Sequence, residues 1–220
     1  MRFIRLLLIS LILYGCTKEK TPKSTPLEES AQYQLEVLFD WTASRHPSAL
    51  GPFPAGAHFS PLIGSIHQEN HSFFNKGSTA SQGMESMAET GATAILAREI
   101  QEQIDAGVAL RLLQANGGTS AQETKSLDVL SADGDHAFLT IVSMIAPSPD
   151  WFVAVQNIPL KDPLGNWLET IEAPLVSLDA GTDSGHQFTA PNEDTQPKET
   201  IEAFVAENSI SIGRIRLTKE

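Results

Sequence analysis

The sequence predicts a mainly β fold, an antiparallel β-sandwich of about eight strands with one helix inserted around residues 86–106. Three observations predict it. A nine-residue stretch near the start of the domain alternates apolar and polar residues. Apolar runs bounded by turn residues recur in the second half. Between them lies a single stretch of helix formers with apolar residues at helical spacing.

The first strand is the alternation itself. Tyr33, Leu35, Val37, Phe39 and Trp41 interleave with Gln34, Glu36, Leu38 and Asp40, the period of a half-buried strand, and only Leu38 breaks the polar face. Residues 42–83 are rich in Pro, Gly, Ser and His and read as loops with short extended pieces. From Ser86 to Ala106 the residues favour helix, with Ile95, Leu96, Ile100 and Ile104 on one face; Gly91 interrupts the pattern and Gly107 supplies a stop. Ala137 to Ile145 is a near-continuous apolar run between Asp133-Gly134 and Pro147, as expected of a central strand. Asp133-Gly134 before it reads as a hairpin turn. Trp151 to Val155 is another strand. Ile210, Ile212, Ile215 and Leu217 form the last, with a phase shift at Gly213 that reads as a bulge.

The composition bounds the function. The chain has 220 residues, 41 % of them hydrophobic, and a formal net charge of -12. That is enough to bury one core, and the low charged fraction argues against a disordered chain. Residues 31–220 carry 10 basic and 24 acidic side chains. The basic residues are scattered, so no phosphate-binding cluster forms and a nucleic-acid partner is excluded. An acidic surface attracts cations instead. The single cysteine, Cys16, rules out an intramolecular disulfide.

Residues 1–15 have the layout of a secretory signal. Arg2 and Arg5 precede a short apolar run that ends at Leu13-Tyr14-Gly15-Cys16. The run is too short for a relaxed membrane span. The placement of Cys16 resembles the lipobox of bacterial lipoproteins, in which the cysteine is acylated and begins the mature chain. A plain signal peptide with an incidental cysteine is the competing reading. Residues 16–30, mostly Lys, Glu, Thr, Ser and Pro, then form the lipidated cysteine and a flexible tether, and residues 31–220 form the domain. Thr17 rather than Asp after the cysteine points to the outer membrane within the lipoprotein-sorting pattern. The expectation is an exported, membrane-anchored lipoprotein facing the periplasm or the cell surface.

Three segments carry a resemblance. They are Phe59-Ser60-Pro61-Leu62-Ile63-Gly64 with His67 beyond, then Gly77 through Ala80-Ser81-Gln82-Gly83 to Ala88-Glu89-Thr90-Gly91, then Pro147-Ser148-Pro149-Asp150-Trp151-Phe152-Val153 answered by Asp179-Ala180-Gly181-Thr182-Asp183-Ser184-Gly185. Their order and spacing, with Pro197-Lys198-Glu199-Thr200-Ile201 following, resemble the spondin N-terminal domain over about residues 31–218. The resemblance implies a β-sandwich, extracellular placement and a bound calcium ion. It places the ligands on Asp150, Asp179 and Asp183, and all three are present. Animal members combine the domain with disulfides and thrombospondin-type repeats, which this chain lacks, so roles that depend on those modules do not transfer.

The residues themselves suit calcium, a hard cation that takes six to eight oxygens. Two prolines stiffen the turn before Asp150. Gly181 separates Asp179 from Asp183 and lets the chain fold tightly enough for carbonyls to point inward. An EF-hand loop does not fit, because Ser184 and Ala190 stand where that loop needs Gly and Glu. The bland alternative is that these aspartates build Asx-turns.

Rival sites are weaker. His67 and His71 lie four apart, but Glu69 is misplaced for a zinc-protease helix, so packing or surface histidines are the preferred reading over zinc. His46 and His58 sit in loops. Gly77-Ser78-Thr79-Ala80-Ser81-Gln82-Gly83 is no nucleophile elbow, and its serines read as bonding locally in a turn before the helix. Trp41, Trp151 and Trp167 read as core rather than ligand platforms, with Trp151 set apart because it adjoins a proposed metal ligand. Two function classes follow: a non-enzymatic exported module that uses calcium-organised loops for adhesion to a protein or glycan at the cell surface, and, as the alternative, a calcium-dependent periplasmic hydrolase.

Overall fold

The computed structural model describes residues 28–45, 52–203 and 211–220. The signal segment, Cys16, the tether up to residue 27, His46 and Ile210 lie outside the described residues.

The alternating stretch forms β1 (Ser30–Phe39), with Ala31, Tyr33, Leu35, Val37 and Phe39 buried. It pairs antiparallel with β6 (Thr124–Asp133) on one side and β12 (Gly213–Lys219) on the other, and β9 (Thr170–Pro174) extends this sheet beyond β12. The second sheet is centred on β7 (Phe138–Ala146) and β8 (Trp151–Pro159). Beyond β8 lie β10 (Val176–Asp179) and β11 (Glu202–Ala203). On the other side of β7, β2 (His58–Phe59) and β3 (Ile63–His67) pair with successive parts of the same edge. These are flanked in turn by β5 (Thr119–Ser120) and β4 (Ala109–Gln114). The expected sandwich is present; among the described residues the strand count rises to twelve, three of them two-residue pieces.

The inserted helical region is two helices rather than one, α1 (Gln82–Thr90) and α2 (Ala94–Asp105). Ser81 caps α1, its Oγ accepting from Met84 N at 3.1 Å. Gly91 ends α1 in the left-handed region at φ 71° and donates to Met87 O, a stop that glycine adopts without a Cβ penalty. Both helices pack on the outer face of the second sheet, so the sheet is covered on both faces. Leu139, Ile141, Val153 and Val155 point into the sandwich, whereas Val142, Met144, Phe152 and Ala154 meet Met84, Met87, Leu96 and Ile100 of the helices. A strand buried on both faces reads as a continuous apolar run, which is the pattern seen from Ala137 to Ile145.

Two expected turns differ. Asp133-Gly134 makes no hairpin, because β6 and β7 belong to different sheets. Asp133 Oδ1 instead gathers Asp135 N at 3.0 Å, His136 N at 2.9 Å and His136 Nδ1 at 2.9 Å, building a wider connection between the layers. Nor is there a bulge at Gly213: β12 starts there and its register against β1 runs unbroken from Phe39↔Gly213 to Tyr33↔Lys219. The phase shift arises because Ile212 precedes the strand, where its carbonyl accepts from Asp40 N at 2.9 Å.

The sandwich has two distinct ends. At one, Tyr33 Oη donates to Leu160 O and Leu168 O, Trp167 Nε1 donates to Glu28 O, and Glu220 N donates to Gln32 O. Both chain ends of the described domain therefore meet here. β8 runs from this end, at Pro159, to the other, at Trp151. Nine residues of strand span roughly 26–30 Å. Asp150 and Asp179 lie at that far end, where Asp179 pairs with Trp151.

Candidate metal centre

Asp150 precedes β8 and Asp179 closes β10, so the β8–β10 pairing brings two residues distant in sequence side by side. The chain then turns at Gly181, at φ 70°, a conformation that suits glycine. That turn returns Thr182 and Asp183 toward Asp150. Asp150 Oδ2 accepts from Thr182 N at 2.7 Å, Thr182 Oγ1 at 3.2 Å and Asp183 N at 3.1 Å. Asp150 is 0 % exposed, and its Oδ1 is buried with no hydrogen-bond partner.

The other two carboxylates are each held by local donors. Asp179 Oδ1 accepts from Gly181 N at 2.8 Å and Oδ2 from Trp151 Nε1 at 3.1 Å. Asp183, also buried, accepts from Gly185 N at 2.7 Å through Oδ1 and from Glu193 N at 2.8 Å through Oδ2. The bonds from Gly181 N to Asp179 and from Gly185 N to Asp183 are the Asx-type bonds that the bland reading expects; Asp150 makes none, since its partners Thr182 and Asp183 are distant in sequence.

The electrostatics follow from burial. Desolvation pushes the Asp150 carboxyl up to about 6; the Thr182 and Asp183 amides pull the other way, and the charge of Asp179 adds to the rise. Asp179 is also raised, first by burial, against the bonds from Gly181 and Trp151 and with help from Glu199. Glu89, near the end of α1, joins the acidic surroundings. Its Oε1 is buried without a partner, and burial raises its pKa, with Glu85, Asp194 and Asp183 adding to the effect.

Among the described residues no group of three or more His, Cys, Asp or Glu side chains is spaced as a ready-made metal cage. The residues nonetheless fit a hard cation. Asp150 presents a buried, unpartnered oxygen, an arrangement that costs free energy unless something positive or protic meets it. Aspartates are the donors calcium prefers, and they sit on turns whose carbonyls are close at hand. Sequence reasoning missed the part of Thr182, whose amide and hydroxyl both bind Asp150. Its only signal was its position between Asp179 and Asp183.

The other candidates resolve into structure. His67 is wholly buried, with Nε2 2.8 Å from Thr140 Oγ1, whereas His71 is exposed and bonds Glu69 O. The two do not share a site. His58 is exposed and bonds Gly56 O. Trp41, Trp151 and Trp167 are core residues.

Comparison with known proteins identifies relatives of this chain. The family model described as Spondin_N matches residues 31–211. Spondin-2 of Homo sapiens is 33 % identical over 181 residues, 78 % of this chain and 51 % of that protein. Spondin-2 of Rattus norvegicus is 31 % identical over 179 residues, 80 % of this chain and 53 % of that protein. Spondin-1 of Gallus gallus is 30 % identical over 178 residues, 78 % of this chain and 22 % of that protein. The chain thus spans about half the length of the Spondin-2 relatives and a smaller share of Spondin-1.

Proposed function

The chain belongs to the Spondin_N family, and from that premise we propose that it is a non-enzymatic, exported module that binds a protein or glycan at the cell surface through calcium-organised loops. Asp150, Asp179 and Asp183 would hold the ion, whose charge would offset the repulsion among them. The observation that carries the reading is the wholly buried Asp150 carboxylate, one oxygen saturated by the Thr182–Asp183 turn and the other unpartnered. A cation there ties β8 to the loop after β10, which is how a metal would set the shape of this end. Anchoring through an acylated Cys16, in the outer membrane, completes the proposal.

Calorimetry and thermal melts with millimolar calcium test it, because extracellular sites bind weakly, with Kd on the order of 10⁻⁴–10⁻³ M. Binding to the folded state alone raises stability by about 2.7 kcal/mol at a hundredfold excess over Kd. The expected result is a calcium-dependent shift that the Asp179→Ala/Asp183→Ala double variant lacks. An unchanged shift in that variant would sink the proposal. A pull-down from surface extracts with calcium or with chelator then identifies the partner.

A further inference from the structure

His67 belongs to the segment that carries the family resemblance, yet it lies at the end of the sandwich away from the aspartates. It closes β3 opposite Phe138 of β7, and Phe138 in turn faces Pro159 of β8. Both ring nitrogens are engaged. Nδ1 lies 2.7 Å from Gln68 O, which can only accept, so Nδ1 carries the proton. Nε2 lies 2.8 Å from Thr140 Oγ1 and, in that tautomer, accepts from the hydroxyl. The same oxygen accepts from Asn157 N at 3.1 Å. Asn157 stands at φ 52°, in the left-handed region, where the β7–β8 register shifts between Leu139 and Ile141. A single line of hydrogen bonds therefore runs from Gln68 through His67 and Thr140 to the irregular backbone of β8. In the neutral ring each bond has one direction: Nδ1–H to Gln68 O, the Thr140 hydroxyl to Nε2, and Asn157 N–H to Thr140 Oγ1.

We propose that this line is a proton-operated latch: uncharged His67 pins the β7–β8 bulge to the end of β3, and a proton taken up by the ring releases it. On protonation Nε2 becomes a donor. Thr140 Oγ1 can accept from both Nε2 and Asn157 N while its own hydrogen turns away. What opposes the charged ring is burial: His67 is 0 % exposed and its partners are a carbonyl and a hydroxyl, and opening this corner gives the charge water. The titratable neighbours that act on the ring are His71, on the turn after β3, and His136, on the β6–β7 connection, and either would add positive charge. Of the two acids there, Asp133 at the end of β6 is engaged by His136, and Asp135 on the connection is exposed. From β4 the ring faces Ala109, and from β7 it meets Phe138 at 6.5 Å. β8 contributes Asn157, whose Oδ1 is buried without a partner. Burial keeps the ring below the ordinary value of 6.5, as a latch closed at neutral pH requires. The device is independent of the calcium reading, since it sits at the opposite end of β8.

Nitrogen-correlated spectra of the histidine rings and amide exchange of the purified full chain, from pH 8 to 5, test the latch. The expected result is an Nδ1–H tautomer for His67 at pH 7 and a titration midpoint below 6.5. Protection at Asn157 falls alongside it, with local opening rising by about tenfold per pH unit below about 6.5 until the ring is charged. His136→Gln leaves that midpoint in place within the change expected from losing one positive neighbour, and Thr140→Val exposes Asn157 already at pH 7. An Nε2–H tautomer, a midpoint at or above 6.5, or Asn157 protection that ignores pH in the wild type overturns the proposal without recourse to any variant.

Discussion

The indole nitrogen of Trp151 donates a 3.1 Å hydrogen bond to Asp179 Oδ2, across the β8–β10 pairing. Trp151 directly follows Asp150, and its ring meets Phe188 edge-on at 5.3 Å. Phe188 also packs against Trp41 at 5.5 Å, within the loop that follows Asp183. One aromatic side chain therefore touches a candidate ligand, adjoins a second and contacts the loop of the third.

Calcium is accordingly expected to change tryptophan emission. Titration of the wild type should give a saturable change, and Trp151→Phe should lose most of it, leaving what Trp41 senses through Phe188. An undiminished change in Trp151→Phe would place the ion elsewhere.

Asp150→Asn removes a buried charge while keeping the shape of the side chain. In the absence of calcium this variant should be more stable than wild type by about 1–3 kcal/mol, the scale of a shift from 3.8 to about 6. It should also lose the calcium-dependent gain. Urea melts with and without calcium check both; a variant less stable than wild type in chelator contradicts the cost assigned to the buried carboxylate.

The same carboxyl sets a pH dependence. Its folded pKa, about 6, exceeds the ordinary 3.8, so between those values the native state keeps a proton that the unfolded chain has lost. Metal-free stability contributed by Asp150 is fully present below about pH 4 and declines as pH rises through about 6, by roughly 3 kcal/mol in total. His67 works the other way below 6.5, because its folded pKa is lowered. The difference between wild-type and Asp150→Asn melts across pH 4–7 isolates the Asp150 contribution, and a flat difference contradicts it.

The start of α1 rests on a close approach. Glu99 of α2 accepts from Ser81 Oγ at 2.6 Å and from Gly83 N at 2.7 Å. A Cβ at Gly83 would fall 2.6 Å from Leu96 Cα. Gly83→Ala should therefore cost about 1–3 kcal/mol by forcing the helices apart. Glu99→Ala, which removes the acceptor of Ser81 Oγ and Gly83 N and leaves the contact, should cost about 1–2 kcal/mol. Chemical denaturation ranks the two, and a neutral Gly83→Ala means the helices separate freely.

Cys16→Ser tests the anchor. Wild type should stay with membranes through a high-salt wash and incorporate labelled palmitate, whereas the variant should do neither. Equal solubility of both after export removes the lipid from the proposal.

Much of this was legible in the sequence where the deciding physics is local. The alternation of Tyr33, Leu35, Val37 and Phe39 reports a strand with one buried face, and the run through Ile141 and Met144 reports one buried on both. The sequence places the helix start late, at Ser86, because Ser81 reads equally as a turn residue until its hydroxyl is seen to accept from Met84 N. Gly91 was visible, but whether it kinks a helix or ends one depends on its φ, which packing fixes. The Asp133-Gly134 turn was misread because pairing is not local: the same dipeptide serves a hairpin or a crossing between layers, and the partners β1 and β7 decide. At the candidate site, Gly181 and the aspartate pair could be read directly. The meeting of Asp150 with Thr182 could not, since it depends on β8 and β10 lying side by side. Only the family resemblance put those two segments together in advance.

Glu28 and Glu220 emerge at the same end of the sandwich, and the aspartates occupy the other. The domain thus has one end where its described termini leave and an opposite end that carries the acidic loops. Anything joined through either terminus, whether a lipid, a tether or another folded unit, is carried behind the domain and leaves the acidic loops unshaded. Attachment at either terminus leaves the far end accessible, and in a copy held by one terminus the carboxylates lie on the side away from the attachment.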